Sequence, residues 1–154
     1  MLRHIINGFE AIPALQDELF QDIALNVWRA LPNFKQQASV KTYIARISHN
    51  ILATHVGKSL KTVKTTEITE LNDVESKATP FNELDQSQRQ KRLAQAIRQL
   101  NLAQRQVITL ALEGMSYQEI AETLAISVNL VGVRLQRAKT VLKQKLAIQS
   151  LEVE

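Results

Sequence analysis

A chain of 154 residues, 45% of them hydrophobic, holds enough apolar material for one domain or two small ones. It has no cysteine, which excludes disulfides and thiolate metal sites and is compatible with a reducing cytoplasm, and its net charge of +4 is concentrated late, with 10 basic and 5 acidic residues in 89–154 against 3 and 6 in 61–88. No apolar run approaches the roughly 18 residues that span a bilayer, and Asn7, Gly8, Glu10 and Pro13 break the amino terminus before a signal-peptide core develops, so a cytoplasmic protein without membrane insertion is expected.

Sparse aromatics, four glycines, three prolines and no alternating pattern predict an all-α fold. The expected architecture is two small helical domains joined by a polar linker, the second a four-helix unit with a helix-turn-helix. In the first, Leu19, Ile23, Val27 and Leu31 recur every fourth residue, with Phe20, Ala24 and Trp28 in a parallel row, giving one wide apolar face. The opposite arc shows Asp17, Glu18, Gln21, Asp22, Asn26 and Arg29, with Leu25 alone among them. A connection through residues 32–38 leads to a second helix over about 39–55. Its phase turns Val40, Tyr43, Ile44, Ile47 and Ile51 to the core and Thr42, Arg46, His49 and Asn50 away from it. Residues 61–88 are rich in Thr, Glu, Asp, Asn and Ser around Pro80 and read as an acidic linker, with a short helical piece at 68–74.

The second unit opens with a helix near 88–100 that buries Leu93, Ile97 and Leu100, and Asn101 caps the next, over 102–112. Glu113-Gly114-Met115 ends that helix. Ser116 with Glu119 then writes a capping box, and Ser127 caps a last helix directly after the short Ala125-Ile126 turn. Two capped helices around one tight turn are the pattern of a helix-turn-helix, with Ile120, Leu124, Ile126, Val131 and Leu135 locking the pair and Ala121 small at the crossing. Ala125 stands where glycine is usual, at a cost of roughly 1 kcal/mol if φ there is positive. From Arg134 onward come Arg137, Lys139, Lys143 and Lys145, with no acid before Glu152, so the last helix suits a DNA groove. An ordinary helical hairpin with a solvated basic face is the alternative.

The blocks Asp17-Glu18-Leu19-Phe20-Gln21-Asp22, Val27-Trp28-Arg29, Ile44-Ala45-Arg46-Ile47-Ser48-His49-Asn50, Gln104-Arg105-Gln106-Val107 and Glu113-Gly114-Met115-Ser116-Tyr117-Gln118-Glu119-Ile120-Ala121 resemble, in order and spacing, a bacterial sigma factor of the extracytoplasmic-function type. The resemblance implies a domain 2 over 1–60, which binds core polymerase and the −10 element, a linker over 61–88, and a domain 4 over 89–154, which binds the −35 element. It implies a specificity subunit that binds RNA polymerase core, directs it to promoter DNA and helps open the duplex, with no catalytic residue, metal or cofactor of its own. Asp17, Gln21, Asp22, Leu25, Asn26 and Arg29 are then the expected core-polymerase contacts. Lys35, Lys41, Arg46, His49 and Asn50, with Asn33 and Gln36, fall in the promoter-opening segment. Phosphates at the −35 element fall to Arg134, Arg137 and Lys139, with Arg105 and Ser116 on the flanks, and bases to Ser127, Asn129 and Leu130. An anti-sigma factor is a further partner the family admits.

Three departures from the family pattern stand out. Gly132-Val133 replaces the usual polar pair before Arg134, so altered or weak sequence reading is expected. His55-Val56-Gly57-Lys58 replaces an arginine-rich end. The chain also starts where the family has most of another helix behind it, and Ile5, Ile6 and Phe9 read as that helix's stump. Two rivals stay open: a helix-turn-helix regulator without productive polymerase engagement, and a degenerate sigma-like interaction module.

Overall fold

Helix boundaries follow the local chemistry closely. The computed structural model describes residues 1–35, 39–63 and 81–153, and among these all regular structure is helical. The elements are α1 (Leu2–Asn7), α2 (Pro13–Ala30), a 3-10 turn (Leu31–Asn33), α3 (Val40–Val63), α4 (Phe81–Arg98), α5 (Leu102–Leu112), α6 (Tyr117–Leu124) and α7 (Val128–Val153). Pro13 opens α2, where its missing N–H costs nothing. The Asn101 side chain accepts the Gln104 amide at 2.8 Å and starts α5. At α6 the Ser116 hydroxyl accepts the Glu119 amide while the Glu119 carboxylate accepts the Ser116 amide, both at 3.1 Å, completing the expected capping box. Ser127 accepts the Leu130 amide at 3.1 Å and caps α7. Between α6 and α7, Ala125 takes the left-handed conformation, φ 57° and ψ 46°.

Two boundaries differ from the expected ones. Helix α3 runs on to Val63, since nothing after Gly57 stops it, and α4 begins at Phe81, directly after Pro80, rather than near residue 88. The rest of the expected linker, with the short helical piece at 68–74, lies outside the described residues.

The two halves share one core. Ile5, Ile6, Phe9, Ile23, Ala45 and Leu52 from the first half are continuous with Ile97, Val107, Leu110, Ile120, Val131 and Leu135 from the second. Helix α3 packs on α2 with one side and on α6 and α5 with the other, while α1 touches both α2 and α5. This double packing corrects the expected facing of α3: Thr42, Ala45, Ser48, His49 and Leu52 are buried, whereas Val40 is half exposed at the helix start. On α2 the apolar face is narrower than its periodicity predicts. Leu19 and Ile23 are buried, but Ala24 lies at the surface and Trp28 is 76% exposed.

The short α1 is fastened on two sides. Gln16 donates to the Asn7 side-chain oxygen at 3.0 Å and to the Glu10 carbonyl at 2.6 Å, and Arg98 donates to the Asn7 and Glu10 carbonyls from across the core. Gly8 allows this approach, since a Cβ there would lie 2.9 Å from Thr109 Cγ2 and 3.3 Å from Ile97 Cγ2.

Ala125→Gly removes the strain of a side chain at positive φ, and is expected to stabilise the protein by about 1 kcal/mol, raising the thermal midpoint by about 2–4 °C. Gly8→Ala is expected to act in the opposite direction, by roughly 1–3 kcal/mol, because the added methyl overpacks the seam between α1 and α4–α5. Thermal and urea unfolding followed by circular dichroism check both.

Candidate nucleic-acid and protein interfaces

Three surfaces carry the residues expected to bind partners. The first is the helix-turn-helix of α6 and α7, held by buried Ile120, Ala121, Val131 and Leu135. Arg137, Lys139 and Asn129 are exposed on α7, and Arg134 and Leu130 are half-buried. Ser127 and Ser116 sit at the two helix starts with their hydroxyls engaged as caps. The Ser116 amide, then its hydroxyl, hold the Glu119 carboxyl below its ordinary range, and Lys41 of α3 adds a smaller push in the same direction.

Arg105 is turned inward, not toward a flanking phosphate. Its guanidinium donates to the Arg98 and Leu100 carbonyls and lies 5.6 Å from the centre of the Phe9 ring. Burial, and then the charge of Arg98, draw it below its ordinary pKa, with Glu10 opposing. The residue belongs to the seam between the halves.

The second surface is the amino-terminal part of α3, and much of it is engaged by the other half of the chain. Lys41 Nζ donates to the Glu113 carbonyl at 2.9 Å, and Arg46 donates to the Glu122 carbonyl at 2.8 Å. These acceptors lie at the carboxy-terminal ends of α5 and α6, where carbonyls lack helical partners and the helix dipole is negative. His49 is only 2% exposed, the edge of its ring set against Phe9 with centroids 5.5 Å apart. Neither of its nitrogens finds a protein partner, and burial pushes its pKa down to about 4. The expected exposed DNA contact at His49 is therefore a neutral ring in the core. Lys35 and Asn50 remain exposed, and Asn33 closes the 3-10 turn. Gln36 lies outside the described residues.

The third surface is the arc of α2 opposite Leu19 and Ile23. Asp17, Gln21, Asp22, Leu25 and Arg29 are exposed along it, and Asn26 is half-buried, its side-chain amide donating to the Asp22 carbonyl at 2.7 Å. Asp17 also pairs with Arg3 at 3.6 Å. Trp28 joins this arc next to Leu25, three residues before it. Sequence periodicity assigned Trp28 to the core because tryptophan reads as apolar. The signal that it is not buried is its phase, five residues and about 140° around the helix from Ile23. Among the described residues no three metal-ligating side chains converge.

Comparison with known proteins fits this layout. The family model "Sigma-70 region 2" matches residues 1–60, and "Sigma-70, region 4" matches residues 90–142. Among solved structures, the chain is similar to the sigma factor RpoE in its complex with the anti-sigma factor NepR from Bartonella quintana, at 20% identity and a TM-score of 0.74, covering 96% of this chain and 90% of that one. It is also similar to CnrH in complex with the cytosolic domain of CnrY, at 22% identity and a TM-score of 0.65, covering 96% and 80%. No curated protein sequence matches.

A neutral His49 makes stability depend on pH with a definite sign. Its folded pKa lies below its unfolded value, so the unfolded chain binds the extra proton, and the contribution present above about pH 6.5 is lost as pH falls toward 4. The loss over that window is expected to be roughly 3 kcal/mol. Urea unfolding across this range measures it, and His49→Leu is expected to flatten the part of the slope that other groups do not supply. Equal slopes in both proteins would show that His49 does not carry the effect.

Proposed function

Because the chain belongs to the sigma-70 family of transcription initiation factors, with regions 2 and 4 in the layout of the extracytoplasmic-function type, we propose that initiation is divided among its three surfaces. Sigma factors bind RNA polymerase core and direct it to promoters, and the polymerase performs the chemistry. The observation that carries the assignment is the presence, in one chain, of an acid-rich arc with an exposed tryptophan on α2 and a fully capped helix-turn-helix with exposed cations on α7.

The α2 arc docks on core polymerase through Asp17, Gln21, Asp22, Leu25, Asn26 and Arg29, with Trp28 as its anchor. An exposed tryptophan beside an exposed leucine is poorly placed in water, and large aromatic residues dominate the energetics of protein interfaces. Charged neighbours around that pair supply register and exclude wrong partners.

Helix α3 takes the opened strand of the −10 element. Lys35, Lys41 and Arg46 face phosphate and Asn50 a base, once Lys41 and Arg46 are released from the carbonyls of α5 and α6. Capture of a flipped base is feasible because unstacking costs only a few kcal/mol and charge on the phosphates offsets it. Helix α7 enters the major groove of the −35 element, with Arg134, Arg137 and Lys139 on the backbone. This chain acts in the cytoplasm, is not itself an enzyme, and takes an anti-sigma factor as a third partner, as RpoE does with NepR.

Run-off transcription with purified core polymerase and this chain as the only specificity subunit tests the reading, with its own upstream region among the templates. Discrete promoter-dependent transcripts are expected. Asp22→Ala and Trp28→Ala are each expected to weaken core binding about 10-fold, while Arg137→Ala weakens promoter binding and lowers its salt dependence by about one phosphate contact. Core binding without promoter-dependent transcripts would favour a sequestering module, and salt-dependent duplex binding without core binding would favour an independent DNA-binding regulator.

A further inference from the structure

The side of α7 that faces away from the core carries no charge along its centre. Val131, Leu135, Ala138 and Leu142 are the buried seam of this helix. Diametrically opposite, at spacings of four, three and four, lie Asn129, Val133, Gln136 and Thr140, all exposed. Cations flank this stripe without entering it: Lys139 and Lys143 on one side, Arg137 and the half-buried Arg134 on the other. Phosphate grip and base reading are thus assigned to different residues of one helix.

The start of the helix narrows the choice of readers further. Ser127 already accepts the Leu130 amide as a cap and Leu130 is half-buried, so of the three residues expected to read bases Asn129 is the exposed one with no capping role. Gly132 has no side chain, and the Tyr117 ring lies beside it, 3.6 Å from where a Cβ would stand. Val133 then protrudes, 46% exposed, at the edge of a shallow depression that Gln136, Arg137 and Thr140 also line. Thr140 spends its hydroxyl on the Gln136 carbonyl at 3.0 Å.

Each base pair presents its own pattern in the major groove. Guanine offers two acceptors, met best by arginine or lysine, and the stripe has neither. Adenine pairs a donor with an acceptor and is met by the amides of Asn and Gln, and the thymine methyl is met by an aliphatic side chain. We propose that Asn129, Val133 and Gln136 set the base preference of the duplex element read by α7, and that they select A·T pairs with a thymine methyl against Val133. This inference rests on the sigma-factor reading above. It turns Gly132-Val133 from a loss of sequence reading into a change of what is read.

The test uses the holoenzyme of full chain and core polymerase on a template library randomised upstream of a fixed opening region. A·T pairs are expected at the selected steps. Replacing the critical thymine by deoxyuridine, which removes only the methyl, is expected to weaken binding by the full-length chain about 3- to 10-fold, from the burial of one methyl. Val133→Ala erases the difference between the two templates, and Asn129→Ala or Gln136→Ala relaxes selection for adenine by about 5- to 100-fold. Selection of guanine at these steps, absence of any selected upstream element, or indifference to deoxyuridine overturns the proposal while promoter-dependent initiation persists. Loss of initiation on every template would instead overturn the sigma-factor reading, and this inference with it.

Discussion

Helix α3 is covered on both sides, and the rest of the arrangement depends on that double contact. It packs on α2 of the first half and on α5 and α6 of the second, with Ala45 and Leu52 fully buried. Burial of the apolar residues supplies most of the favourable energy, at about 25 cal/mol per Å² removed from water. The two bonds from Lys41 and Arg46 contribute less, since each lies at the surface and a bond with a charged donor is worth roughly 1.5–3 kcal/mol before solvent screening. Their role is directional. They fix where the ends of α5 and α6 sit along α3.

The same contact explains why several polar residues face inward. His49 is tolerable at the seam because the neutral ring packs edge-on to Phe9, and Phe9 in turn lies under the Arg105 guanidinium. Arg98 reaches over to the carbonyls of Asn7 and Glu10, so the turn after α1 is satisfied from the far half of the sequence. The contacts of Arg98 with Asn7 and Glu10, and of Arg105 with the Phe9 ring, exist only because the halves are joined. Arg98 and Arg105 spend donors on carbonyls of the seam, whereas most polar side chains of the α2 arc and of α7 stand at the surface.

Local features were legible in the sequence and tertiary ones were not, for a physical reason. The caps at Asn101, Ser116 and Ser127 involve residues three apart, so their hydrogen bonds are written in the spacing itself, and the strained turn at Ala125 follows from the same short-range logic. Helical phase is equally local, and it found that α2 and α3 are helices but misjudged the far end and the buried face of α3. What phase lacks is knowledge of what covers a face. Thr42 and His49 read as exposed because the helix's own periodicity does not register the elements packed on that face, Phe9 among them, and Trp28 read as buried because its chemistry outweighed its phase, well away from Leu19 and Ile23. Arg105 read as a phosphate contact, yet its donors are used on carbonyls only seven and five residues back.

The observed arrangement and the function proposed for α3 use the same chemistry. A helix carboxy terminus presents bare carbonyl oxygens with a partial negative charge, and an opened DNA strand presents phosphate oxygens with a full one. Lys41 and Arg46 are suited to both, so exchanging one acceptor for the other is electrostatically downhill toward the nucleic acid. The opposing term is apolar: separating α3 from α6 exposes Ala45, Ile120 and the surroundings of His49 to water. Stacked bases re-cover such a surface in part, since their faces pack on apolar and aromatic groups alike. In the proposed exchange, opening is therefore governed less by the charges that bridge the halves than by what replaces the apolar contact beneath them.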